Sequence, residues 1–166
     1  MTLAEAAAEA NGLAERGDER ALAQLRAQWD DEVEAAARSH DHRERVVAFR
    51  AISQFRYRQK IELLRRGLED TSPAVRGAAV LSLELLSRDH PGVVNGVRPL
   101  LHEMVSRDGN DAVRRLAVMA LRNGSPERAT IQILTSLSQN DDEGRELRDA
   151  AGKVAQALRK KAGPSR

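Results

Sequence analysis

The sequence predicts an all-α protein built from stacked helix pairs, and three observations carry that prediction. Ala, Leu, Arg and Glu dominate the 166 residues, aromatics are 2% and β-branched residues are sparse, a composition that favours helix. One phrase is written four times. Residues 70–83 carry Asp70, Pro73, Val75, Arg76, Ala78, Ala79, Val80 and Leu83, and residues 108–121 carry Asp108, Val113, Arg114, Leu116, Ala117, Val118 and Leu121. A looser copy holds Asp142, Leu147, Arg148, Ala150, Ala151 and Ala155, and a worn one Arg45, Val47, Ala48, Phe49 and Ile52. The arginines are 31, 38 and 34 residues apart, and self-similarity at that period marks stacked repeats. Helix stops and starts then punctuate the chain at short intervals.

Thr2 with Glu5 reads as a capping box that opens a first helix to about Arg16, where Gly17 breaks it. Asp18 caps a second, long helix toward Arg38, with Leu22, Leu25, Trp29 and Val33 on its apolar stripe. Ser39-His40-Asp41 is a turn and cap. A third helix runs from about His42 to Tyr57, and a fourth over about Gln59–Glu69. Ser72-Pro73 starts a fifth that reaches about Ser87. A sixth spans about Val93–Ser106, with Pro99 forcing a late start or a kink. The seventh covers Asp111–Arg122, the eighth starts at Ser125-Pro126 and reaches about Ser138, and the ninth spans about Glu143–Lys161. The expected organisation is a helical cap over 1–39, repeats over 40–161 and a disordered tail at 162–166.

The whole-chain charge of +2 hides a polar distribution. Residues 1–39 hold 4 basic and 9 acidic side chains, net −5, whereas residues 40–66 hold 8 basic and 3 acidic, net +5. There is no Cys, so disulfides, zinc-thiolate sites and thiol catalysis are excluded, and the composition fits a reducing cytoplasm. Glu5 and Glu9 stand where a signal peptide would be basic. No apolar run approaches the roughly 20 residues that cross a bilayer, so no membrane partner is expected.

The phrase Asp70-x-x-Pro73-x-Val75-Arg76-x-Ala78-Ala79-x-x-x-Leu83 resembles the HEAT repeat, and the resemblance covers about residues 40–160. It implies a short right-handed α-α superhelix, a solenoid of about four helix pairs and nine helices, in which the B helices line the concave side. The last copy has Glu143-Gly144-Arg145 where Pro is usual, and the first lacks both Asp and Pro, as terminal repeats often do. The residues themselves agree with that frame. Val75, Ala78, Ala79 and Leu83 fall at i, i+3, i+4 and i+8, a core stripe, and Val113, Leu116, Ala117 and Leu121 repeat it. Asp70, Arg76, Asp108, Arg114, Asp142 and Arg148 are expected to be structural, a ladder of ion pairs between neighbouring repeats.

For function, the basic segment stands out. Arg43, Arg45, Arg50, Arg56, Arg58, Lys60, Arg65 and Arg66 are interleaved with Phe49, Phe55 and Tyr57, which suits acidic peptides or phosphate backbones. Two readings stay open: a binding face, or a helix whose charge the acidic N-terminal helices neutralise by packing on it. His40-x-His42 with Asp41 lacks the third and fourth ligand of a metal site. His102-Glu103 is similar to one His-Glu pair of deoxyhypusine hydroxylase, an iron enzyme of HEAT-like repeats that needs several. DNA glycosylases of HEAT-like build rely on aromatics that this chain barely has, and its Trp29 reads as core. No catalytic residue, cofactor or metal is expected. The expectation is a non-catalytic interaction module that presents a basic concave helical face to a partner protein, an acidic helix or tail. Its contacts would be Arg43, Arg50, Arg56, Tyr57 and Arg58, continued by Arg107, Arg115 and Arg122. The alternative is binding of DNA or RNA through the same face.

Overall fold

The computed structural model describes residues 1–164; Ser165 and Arg166, the end of the expected tail, lie outside the described residues. Ten helices and no strand are found among the described residues, so the fold class is all-α. They form two compact units, Met1–Leu86 and Ser87–Arg166.

In the first unit, α1 (Leu3–Arg16) opens on the Thr2–Glu5 capping box and closes at Gly17, which takes a left-handed φ of 74°. The Asp18 side chain accepts the Ala21 N–H to start α2 (Glu19–Ala37). α3 (His42–Gln54) starts on Asp41, followed by α4 (Ile61–Leu68) and α5 (Pro73–Ser87), whose last residue crosses into the second unit. α1 packs on both α2 and α3, and α2 on α3. Residues 1–39 therefore share one core with the first repeat. Ala6, Ala7 and Ala10 are fully buried on α1, small side chains that let the helices approach. Phe49, Ile52, Phe55, Tyr57, Leu64, Leu68 and Leu83 fill the unit, and Trp29 is buried with them, as expected.

In the second unit, the single helix expected over 93–106 is two: α6 (Gly92–Asn95) and α7 (Arg98–Arg107). Pro99 sits in the first turn of α7, where its missing N–H costs nothing. That late start accounts for ten helices instead of nine. α8 (Asp111–Leu121) begins with the Asn110 side chain accepting the Val113 N–H. α9 (Arg128–Ser138) starts after Pro126, and α10 (Arg145–Ala162) runs one residue past the expected Lys161. Within this unit α10 packs along α9 and on α8, and α7 on α8. Leu101, Val105, Val113, Ala117, Val118, Leu121, Leu134, Leu147, Val154 and Leu158 form its core.

Candidate functional site

In the first unit the basic segment divides into side chains used internally and side chains left outside. α3 ends at Gln54, short of the expected Tyr57, because Arg56 turns left-handed (φ 59°). The Tyr57 N–H bonds Ile52 O at 2.9 Å and the Arg56 N–H bonds Ser53 O at 3.0 Å, a Schellman closure with Arg where Gly is usual. Left-handed backbone costs a non-glycine residue roughly 1–2 kcal/mol. The Arg56 guanidinium offsets this by donating to Asn11 Oδ1 at 3.0 Å, Ser53 O at 2.6 Å and Gln54 O at 3.3 Å.

This turn is fastened to α2. The Arg26 guanidinium donates to Arg56 O at 3.2 Å, and the Tyr57 hydroxyl donates to Arg26 O at 2.5 Å. Lys60, 7% exposed, donates to Asp30 and to Glu34 (2.7 Å) and lies 4.9 Å above the Tyr57 ring. Tyr57 is 1% exposed and Arg56 points inward, which corrects the expectation that both contact a partner. The turn and the aromatic stripe claim them for packing. α2 neutralises Lys60 directly through Asp30 and Glu34, while Arg43 folds back on Asp41 at 3.2 Å. Arg50, Arg58 and Arg66 are exposed, and among the described residues no side-chain ion pair ties them. An open pocket of about 360 Å³ beside Lys60 is lined by Glu34, Arg38, Gln59, Glu62, Leu63 and Arg66. Its mixed charges make it no anion site.

One test isolates the turn. Arg56→Gly and Arg56→Ala both lose the guanidinium bonds, but only Gly relaxes the left-handed backbone. Arg56→Gly should be the more stable of the two by about 1 kcal/mol in urea unfolding; equal stabilities would mean that the backbone carries no strain.

Two ion pairs of the repeats follow one rule, in which the Arg of one copy reaches the acid opening the next. Arg45 grips Asp70 bidentately at 2.9 and 3.0 Å and also donates to Ser39 O at 2.9 Å. Arg76 donates to Asp70 O at 3.0 Å. In the second unit Arg114, 8% exposed, grips Glu143 at 2.7 and 2.7 Å, and its Nε donates to Val105 O at 2.8 Å. The expected acid there was Asp142, which is exposed instead. The loop of the last copy places its acid one residue later, so Glu143 takes the role. Arg148 pairs with Asp141 at 3.1 Å, and the Asp108 side chain accepts the Asn110 N–H at 2.9 Å.

These carboxylates set the acid limit of the fold. The Lys60 hydrogen bond holds Glu34 below the usual carboxylate range, and Arg114 does the same for Glu143. Partial burial alone would raise Asp70, but Arg45 and the Ser72 N–H outweigh it and hold it low. A depressed carboxylate stabilises the fold above its unfolded pKa, and that stability is lost as pH falls through the folded value. The melting temperature should therefore fall steeply from about pH 4.5 downward, beyond a shallow loss that begins near pH 6.5 because burial holds His102 below its ordinary pKa. No steepening below about pH 4.5 would mean that these carboxylates do not stabilise the fold.

The second unit places the other expected contacts on its surface. Arg107 and Arg122 are exposed, as is Arg115, which meets Glu146 at 2.8 Å. α8 also exposes Met119, at 40%. Arg115, Met119 and Arg122 are four and three residues apart, one stripe on one helix. Reading the motif for Arg and Asp passed over this side chain, although its signal is in the sequence. Met119 lies five residues after its repeat's Arg, as Leu81 (48% exposed) does after Arg76. An open groove of about 440 Å³ lies over the Arg114–Glu143 pair, with Val105, Ala129, Ile133 and Leu137 among its lining. His102 is half-buried against Thr130, Nε2 to Oγ1 at 2.7 Å, and burial holds it below its ordinary pKa. No group of three potential metal ligands occurs among the described residues. The chain matches no known family model and no curated protein.

Proposed function

We propose that the protein is a non-catalytic interaction module of HEAT-like build that binds an acidic helix or tail of a partner protein. The observation that carries this reading is the α8 stripe, on which a large exposed apolar side chain, Met119, is flanked one turn away on either side by Arg115 and Arg122. Met and Arg are enriched at protein interfaces, where an apolar anchor supplies affinity and the charged rim selects the partner. A surface made only for phosphates has no use for the thioether. Arg50, Arg58 and Arg66 in the first unit belong to the part of the basic segment that remains available. No helix among the described residues is long and apolar enough to cross a membrane, and the lack of Cys suits a reducing cytoplasm.

The test is affinity capture from source lysate, with and without nuclease and at two salt concentrations, using wild type and Met119→Asp. A discrete protein that survives nuclease and moderate salt, and is at least tenfold depleted with Met119→Asp, is the expected result. Capture unaffected by Met119→Asp, or recovery of nucleic acid alone, overturns the reading.

A further inference from the structure

The charges of the second unit are sorted by end. α9 and α10 are joined by the short 139–144 loop and pack along each other, with Gly152 facing Ser138 and the Arg159 guanidinium on Thr135 Oγ1 at 2.5 Å. They are thus antiparallel, and the start of α9 lies at the end of α10. At that same end Lys161 Nζ donates to Arg122 O at 2.9 Å and Gly124 O at 3.0 Å, which brings in the end of α8. Arg122, Arg128, Arg159, Lys160 and Lys161 therefore converge, and all five are exposed. Residues 112–126, 128–140 and 150–164 contain no carboxylate. Glu127, the acid between the first two segments, is taken by Arg98 at 2.5 Å. Arg88 and Asp89, close by through the Asn123–Ser87 bond, add one charge of each sign. The opposite end carries Asp108, Asp111, Asp141, Asp142, Glu143 and Glu146.

We infer that this basic end is a second binding surface, which shares only Arg122 with the Met119 stripe, and that its partner is the sugar-phosphate backbone of a nucleic acid, held without reading of sequence. Two features favour phosphates over a protein, and one favours the backbone over the bases. The cluster has no large exposed apolar side chain at its centre, which a protein interface needs. The unit holds no Phe, Tyr or Trp, so bases have no stacking platform. The cations sit on long side chains at three helix ends, spaced to follow a chain of charges and not one carboxylate. Binding of this kind is driven by counterion release.

Fluorescence anisotropy of the full chain with a short labelled DNA duplex tests this. Binding should be measurable at about 50 mM salt, and log K should fall against log salt with a slope of about −4, as for four to five neutralised phosphates. Arg128→Glu with Lys160→Glu reverses two exposed charges that have no partner among the described residues and leaves Arg122 and Met119 untouched. With unchanged helicity by circular dichroism, it should weaken binding at least tenfold. Arg107→Glu with Arg145→Glu, the matched reversal at the acid-rich end, should change it less than threefold. Absence of binding at about 50 mM salt, equal loss in both variants, or displacement of the duplex by polyglutamate as readily as by unlabelled DNA of equal charge would overturn the inference. The capture that tests the Met119 stripe is scored on protein after nuclease, so either surface can fail alone.

Discussion

Arg114→Ala should destabilise the second unit by about 3 kcal/mol, more than any other single charge removal in the chain. The guanidinium makes a bidentate pair with Glu143 and a third bond to Val105 O, with its side chain 9% exposed. Truncation leaves the Glu143 carboxylate, 21% exposed, facing an empty site, and leaves a main-chain carbonyl without its donor. Arg115, one residue on, pairs with Glu146 in the open, at 47% and 85% exposure. There, long side chains gain little Coulomb energy in water, and Arg115→Ala should cost under about 0.5 kcal/mol. Two adjacent arginines, both salt-bridged at under 3 Å, thus differ severalfold in effect because only one pair is shielded from solvent. Thermal melts should separate them by roughly 5–10 °C. If Arg115→Ala proved as costly as Arg114→Ala, burial would not be what decides the strength of these pairs.

The same pair yields a finer expectation. Replacing both partners, Arg114→Met with Glu143→Leu, should recover most of what Arg114→Ala loses, because desolvating two ions nearly cancels their attraction. The ladder then serves register more than net stability. Arg45 and Arg114 each reach an acid at the start of the next copy, 25 and 29 residues on, so a slipped pairing there would bury an unmatched guanidinium.

How far the sequence reveals this molecule depends on the range of the interaction. Caps are local, and Thr2–Glu5, Asp18 and Asn110 sit where side-chain chemistry places them. The core stripes follow from helical spacing, and Val75, Ala78, Ala79 and Leu83 are all buried. That the ladder would join neighbouring copies was legible, but not which Arg meets which acid. An Arg and an acid six residues apart look like neighbours, yet Arg45 reaches across 25 residues to Asp70, and one extra loop position exchanges Asp142 for Glu143. The binding candidates were the least legible. Whether Arg56, Tyr57 and Lys60 face solvent depends on where α3 stops, and α3 stops early because the Arg56 side chain finds acceptors on α1 and in its own last turn. Nothing within the 43–66 segment encodes Asn11, Arg26 or Asp30. The basic end of the second unit was hidden for the same reason, since its cations come from three separate helix ends.

Gly67→Ala should destabilise the first unit by about 2 kcal/mol even though Ala is the better helix former by about 1 kcal/mol. Gly67 is buried in α4, and a Cβ there would lie 2.6 and 2.8 Å from the Phe49 ring and 2.9 Å from Ala79 Cβ. Both neighbours are held. Phe49 is 2% exposed and Ala79 is fully buried, Ala79 has no rotamer to change, and Ser82 bonds the Phe49 carbonyl. The new methyl must push α4 away from α3 and α5, and overpacking of this kind costs roughly 1–3 kcal/mol beyond any gain in propensity. Gly67→Val, with two further methyls in the same gap, should cost still more. Specificity of the clash is checked by shrinking the ring: in a Phe49→Leu background, Gly67→Ala should become neutral or stabilising, a coupling of about 2 kcal/mol in the double-mutant cycle. Additive effects would place the strain elsewhere in α4. The repeat phrase supplies Phe49 and Ala79 at adjacent positions of its register, four residues after Arg45 and three after Arg76, so Gly67 is the residue of α4 that lets the stripes of those two helices meet.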